Sequence, residues 1–269
     1  MSCILAIDPA WTERNPSGVC VLYEQDGLWR CGGVAPSYGQ FIQLGENQLV
    51  NWAENPPAGT PPVPELITAA TTIAGVPPTL VVIDMPVATV PIVGRRPADT
   101  AISEVFGAKG CSAHSPNQMR PGNIGVNLFA QCQEAGYPLA TMGQPNVNVR
   151  SLIETYPHPA ILTLMNLGYR LPYKVSRRNR YWPALDNNQR KNELLQQWEN
   201  MLGVLSEQIA DIAVPLPQNN ATFASMKRYE DAIDALVCGW VGMRYLQNHN
   251  IAAYGDETSA IWIPYAQQH

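Results

Sequence analysis

Charge is scarce in this chain of 269 residues: Asp, Glu, Lys and Arg together make up 14%, against about 25% in an average soluble domain. A surface that neutral must be furnished by Asn, Gln, Ser and Thr. A basic excess is missing too. The formal net charge is −5, which excludes a global cationic field for collecting nucleic acid and leaves such binding to a local patch. No cysteine belongs to a C-x-x-C pair; Cys3, Cys20, Cys31, Cys111, Cys132 and Cys238 stand apart. That spacing disfavours a zinc or disulfide framework and predicts buried free thiols, with a reducing, cytoplasmic compartment. Long apolar runs are absent. The longest, residues 235–241, is too short to span a bilayer, so no membrane association is expected. The N-terminus lacks the basic region and apolar length of a secretion signal. Repeats and low-complexity tracts are absent as well.

What is present reads as an α/β chain. Hydrophobic residues make up 46%, enough for a sizeable core, and the length allows one large domain or two small ones. Residues 3–8 are apolar up to Asp8, as in a strand buried on both faces. Residues 17–24 and 28–35 follow as two more strands around an Asp-Gly turn, which makes an antiparallel meander. Residues 36–64 are loop with a short helix, and residues 65–75 are helical up to a glycine cap. A fourth strand spans 79–84 and ends on Asp84. A long excursion rich in Pro and Gly covers 85–121, a length that is usually functional or partly structured. A helix at 123–136 and a fifth strand at 149–155 follow. Helices are predicted at about 158–167, 187–201, 203–213 and 229–248, with a short terminal strand at 259–263. A right-handed crossover from the meander sets the fourth strand beside the first. Asp8 and Asp84 then share the C-terminal edge of the sheet, where open α/β sheets bind ligands.

Four aspartates carry the chemistry. Asp8 and Asp84 each close an apolar strand, and a carboxylate there is costly unless something compensates it. Asp231 and Asp234, in Asp231-Ala232-Ile233-Asp234-Ala235-Leu236-Val237, share one helix face at i, i+3. The bland reading is a helix-start acid, solvated or capping near Thr222 or Ser225. All four together point to a metal site for a hard cation, Mg²⁺ or Mn²⁺. Such a site suits phosphoryl transfer, in which two ions about 3.5–4 Å apart activate water and stabilise a leaving oxygen without a side-chain nucleophile.

Five short motifs in order resemble the DUF429 family. They are Ile7-Asp8-Pro9-Ala10-Trp11, Pro16-Ser17-Gly18-Val19, Val82-Ile83-Asp84-Met85-Pro86, Ile153-Glu154-Thr155-Tyr156-Pro157-His158, and Asp231 through Cys238. The resemblance covers nearly the whole chain. It implies an RNase H-like mixed sheet of order 3-2-1-4-5, strand two antiparallel, flanked by helices, in a single domain over residues 1–269. The long excursion at 85–121 and a helical, basic insertion at about 158–222 decorate it. In that superfamily a first-strand Asp, a fourth-strand acid and acids on the last helix hold the metals, and resolvases of the RuvC type use a D-x-x-D pair on that helix. Asp8, Asp84, Asp231 and Asp234 match those places. The implied activity is that of a metal-dependent nuclease.

Several other residues are candidates. Glu154, at the end of strand five, is a further ligand, an acid for the leaving group, or a polar strand end. His158 shuttles protons or caps the next helix. Arg95 and Arg96 clamp a phosphate or belong to a solvated ion-pair face. His114, Ser115 and Arg120 line the mouth of the cleft. Residues 170–191 hold Arg170, Lys174, Arg177, Arg178, Arg180, Arg190 and Lys191, seven of the 17 basic residues, against the single acid Asp186. Tyr169, Tyr173, Tyr181 and Trp182 interleave with them, as in a segment that tracks a phosphate backbone and stacks on bases. The expected partner is nucleic acid, DNA or RNA. Two other readings compete: a non-catalytic nucleic-acid- or protein-binding module, and an actin-like phosphotransferase. Against the latter, Pro9 removes an amide donor and Trp11 blocks the close approach that D-x-G-T permits.

Overall fold

Strand β1 (Cys3–Asp8) is apolar on both faces because both faces are covered. Ile4 and Ala6 enter one core, and Cys3, Leu5 and Ile7 enter the other. The computed structural model describes residues 1–12, 14–57, 59–117, 119–144, 149–218 and 220–266. Gln118, in the predicted excursion, and Asn219, in the predicted insertion, lie outside those residues. The remaining strands are β2 (Gly18–Gln25), β3 (Leu28–Ala35), β4 (Leu80–Ile83), β5 (Ser151–Glu154), β6 (Ile251–Gly255) and β7 (Ala260–Pro264). The helices are α1 (Tyr38–Gly45), α2 (Val63–Ala74), α3 (Pro97–Phe106), α4 (Asn123–Glu134), α5 (Pro157–Leu164), α6 (Arg178–Tyr181), α7 (Asn187–Ser206) and α8 (Phe223–Leu246).

The seven strands make one mixed sheet in the order β3-β2-β1-β4-β5-β7-β6. β1 runs antiparallel to β2 and parallel to β4, and β4 and β5 continue the parallel run. The expected order 3-2-1-4-5 is present, and the hairpin of β6 and β7 extends it past β5. This is an RNase H-like sheet. α1, α2 and α4 cover one face; α5, α7 and α8 cover the other. β4 divides as β1 does, with Leu80 and Val82 on the α8 side and Val81 and Ile83 on the opposite side.

Several predicted boundaries move. The two helices expected at 187–201 and 203–213 are one, α7, which runs through Gly203 and stops at Ser206. Asp186 starts it with a capping box: its Oδ1 accepts from the Gln189 backbone at 2.9 Å, and the Gln189 side chain accepts from the Asp186 backbone at 2.9 Å. α8 begins six residues earlier than expected, at Phe223 instead of residue 229. There Thr222 Oγ1 accepts from the Ser225 backbone at 3.1 Å. β6 was not foreseen, because its residues are all half-buried and carry no clean alternation. The excursion at 85–121 contains α3, packed on the β6–β7 edge through Ile102 and Phe106. All six cysteines are buried and free. Among the described residues no helix is long and apolar enough to cross a membrane.

One glycine decides how α8 meets the sheet. A Cβ at Gly18 would lie 2.0 Å from the Asp231 carbonyl oxygen. Gly18 pairs with Asp8 across the β1–β2 ladder. The missing side chain therefore lets the Asp231 turn of α8 rest against the sheet beside Asp8.

Candidate functional site

The sheet edge and α8 converge on one point. Asp8 ends β1, and the Asp84 backbone donates to the Ile7 carbonyl at 3.1 Å, so the parallel ladder carries Asp84 alongside. α8 crosses above and lowers Asp231 and Asp234 toward them. Carboxylate oxygens of Asp8, Asp231 and Asp234 lie within 4.8 Å of one another. Asp84 stands just outside that group but close enough to raise the Asp8 pKa. Asp234 is fully buried and Asp231 nearly so, while Asp8 and Asp84 are half-buried.

Burial and mutual repulsion mark this cluster electrostatically. Burial first, then Asp234, Asp231 and Asp84, push the Asp8 carboxyl well above the usual range. Burial, then Asp234, lift Asp84 to about 8. Burial lifts Asp231 to about 7, against the pull of Lys227. Asp234 also rises through burial, although Lys174 opposes it.

Two lysines and a further acid complete the arrangement. The Lys174 ammonium bonds Asp234 Oδ2 and lies 3.3 Å from Glu230 Oε1. The Lys227 ammonium bonds Asp231 Oδ1 and lies 3.1 Å from Glu230 Oε1. Tyr173 donates its hydroxyl to Asp234 Oδ1 at 2.7 Å. Burial would raise Glu230, but the two ammoniums and the Val175 backbone N–H outweigh it and hold that carboxyl below its ordinary value. Glu230 and Lys227 were not singled out from the sequence. The available signal was the spacing: Lys227 stands i+3 from Glu230 and i+4 from Asp231 on a face that had to be buried.

Glu154 lies at the same edge but is engaged elsewhere. Arg96 grips it with two parallel bonds of 2.6 Å, Nη1 to Oε2 and Nη2 to Oε1. The same guanidinium reaches Asp99 Oδ1 at 2.7 Å and Oδ2 at 3.2 Å, and the Val87 carbonyl at 2.7 Å. All five N–H donors of Arg96 are thus spent on buried protein groups, which leaves none for a phosphate. Arg95 is exposed and ties α3, through Ser103 at 2.6 Å, to Ser115 at 2.9 Å.

A cavity of about 970 Å³ opens over the carboxylates. Its wall includes Asp8, Asp84, Glu154 and Asp231, but also Arg14, Arg120, Lys174, Arg178, Lys227 and Arg228. Of the basic segment, Lys174 and Arg178 reach this cavity, and Arg177 and Arg180 do not line it. His114 and Ser115 line it as well. So does His158, whose neutral form is favoured by burial and by Lys174 and Arg170 nearby. Arg170 can only donate to His158 Nε2, which places the imidazole proton on Nδ1. Chemically, the arrangement is a floor of hard oxygen donors beneath a cationic rim, suited to a divalent ion and an anionic ligand.

Compared with known proteins, the sequence model described as "Protein of unknown function (DUF429)" matches residues 7–259. No curated protein and no solved structure matches the chain.

Proposed function

The chain belongs to the DUF429 family, and from that premise we propose that it is a divalent-metal-dependent nuclease hydrolysing phosphodiester bonds of nucleic acid. One observation carries the reading: carboxylate oxygens of Asp8, Asp231 and Asp234 gather within 4.8 Å of one another beneath a cation-rimmed cavity. The donor set fits Mg²⁺ or Mn²⁺, both of which take hard carboxylate oxygens. Asp8, Asp231 and Asp234 would hold the ion, with Asp84 alongside. Bound there, the metal would supply activation of water and stabilisation of the leaving oxygen.

The chain's own residues do the rest. Arg14, Arg120 and Arg178 hold the backbone phosphates by charge. Lys174 and Tyr173 fix the Asp234 carboxylate in one rotamer. The Arg96–Glu154–Asp99 cluster is a rigid support at the sheet edge. Six free, buried thiols support a reducing, cytoplasmic setting.

A second reading rests on a specific observation. Lys174 and Lys227 already neutralise Asp234 and Asp231, as a non-catalytic nucleic-acid-binding module would require. One experiment separates the two. Labelled DNA, RNA, hybrid and branched substrates are incubated with purified protein and Mn²⁺. Cleavage by wild type and none by Asp8→Asn supports the nuclease. Equal cleavage by both, or none by wild type, refutes it.

A further inference from the structure

The cavity does more than collect charge. Two of its arginines are seated on aromatic rings that also line it. The Arg178 guanidinium lies 3.8 Å from the centroid of Phe223, and that of Arg120 lies 5.7 Å from the centroid of Trp11. Arginine-on-ring pairs beside a phosphate-binding site offer surfaces on which unpaired bases stack. The Nε atoms of Arg178 and Arg228 are buried without a hydrogen-bond partner among the described residues. Arg228 is itself 7% exposed and lines the same cavity. Arg178 Nη1 also donates to the Val175 carbonyl at 2.9 Å and Arg228 Nη1 to the Glu54 carbonyl, so each guanidinium is held in place with N–H donors to spare for an anionic oxygen.

Shape narrows the ligand further. A sphere of about 970 Å³ is about 12 Å across, no wider than the major groove alone of a DNA duplex. The helix carboxylates stand recessed, with Asp231 at 7% exposure and Asp234 at 0%, while Asp8 and Asp84 are half-buried. A reacting phosphate must descend to them between the loops that carry Trp11 and Arg120 and the helices, α6 and α8, that carry Arg178 and Arg228. A flexible strand with its bases splayed out can do so, whereas a stacked duplex would first have to be opened.

We propose that this cavity binds single-stranded nucleic acid in preference to duplex, with Trp11–Arg120 and Phe223–Arg178 as its base-stacking platforms. The proposal deepens the nuclease reading and takes its site from it, yet it concerns binding alone. The test is fluorescence anisotropy in Ca²⁺ buffer with a labelled single strand, a blunt hairpin duplex of the same sequence, and a mononucleotide competitor. The single strand is expected to bind at least tenfold more tightly than the duplex. Trp11→Ala and Arg178→Gln should each weaken it by about tenfold. Tyr265→Ala should leave it unchanged, because Tyr265 is 47% exposed and stands outside the cavity wall. Circular dichroism checks folding, and the rim variant Arg178→Gln decides if the half-buried Trp11 proves structural. Duplex binding as tight as single-strand binding overturns the proposal. So does a mononucleotide that competes as well as the strand, since the ligand would then be a free nucleotide. Strand preference without Mn²⁺-dependent cleavage sustains this inference and removes only the nuclease reading.

Discussion

Adding one methyl group at Gly18 should separate the two halves of the candidate metal site. A Cβ there would stand 2.0 Å from the Asp231 carbonyl oxygen, whereas ordinary contact begins near 3.4 Å. The α8 backbone must therefore retreat by about 1.4 Å or β2 must buckle, because the obstacle is backbone and has no rotamer to change. Overpacking of this kind costs typically about 1–3 kcal/mol. The larger consequence concerns the carboxylates. Asp231 and Asp234 ride on α8 while Asp8 stays on β1, and a displacement of about 1 Å in a reacting constellation costs on the order of 10²-fold. Urea melts of Gly18→Ala should show a lower midpoint with an unchanged slope, and calorimetry should show Mn²⁺ affinity reduced by at least about tenfold. Gly39→Ala is the control: a Cβ there meets nothing within 4 Å, so neither stability nor Mn²⁺ affinity should fall. If Gly18→Ala binds Mn²⁺ as wild type does, the close approach of α8 does not assemble the site, and the reasoning fails.

Three further outcomes follow from the same geometry. Lys227→Gln removes an ammonium that competes for Asp231, so Mg²⁺ affinity by calorimetry should rise severalfold; a fall would mean that Lys227 assists the metal. Asp231 and Asp84 titrate at about 7 and about 8 in the folded chain but near 4 when unfolded. The folded state then holds protons that the unfolded chain has released, and stability present below about pH 4 is lost as the pH rises through about 8. The thermal midpoint of EDTA-treated protein should therefore fall from about pH 5 to about pH 8. The fall should shrink in Asp84→Asn and be reversed by Mn²⁺; an equal fall in Asp84→Asn would contradict the assignment. Arg96→Gln strands Glu154 and Asp99 as buried carboxylates without their cation, so chemical denaturation should register a loss of about 3–5 kcal/mol. A loss under about 1 kcal/mol would show that the cluster is hydrated.

Local pattern and long-range pairing divide what was legible in this protein. The apolar runs ending in Asp8 and Asp84 can be read directly, because a strand covered on both faces has no polar position until it leaves the core. The i, i+3 spacing puts Asp231 and Asp234 on one face of α8 whatever the helix packs against. The roles of the cations are different. Lys174 looked like part of a segment that tracks a phosphate backbone, yet it lies against Asp234, 60 residues away. Arg96 looked like a phosphate clamp, yet it closes on Glu154, 58 residues away. Neither partner shares a helix turn or a strand register with its cation, so no periodicity encodes the choice. The sequence by itself determined that Asp8 and Asp84 end neighbouring strands and that Asp231 and Asp234 share a helix face, because both follow from the period of the apolar residues. Only the tertiary structure decided which charges compensate them and which stay free to meet a ligand, because that depends on the distances set when α8 settles against Gly18.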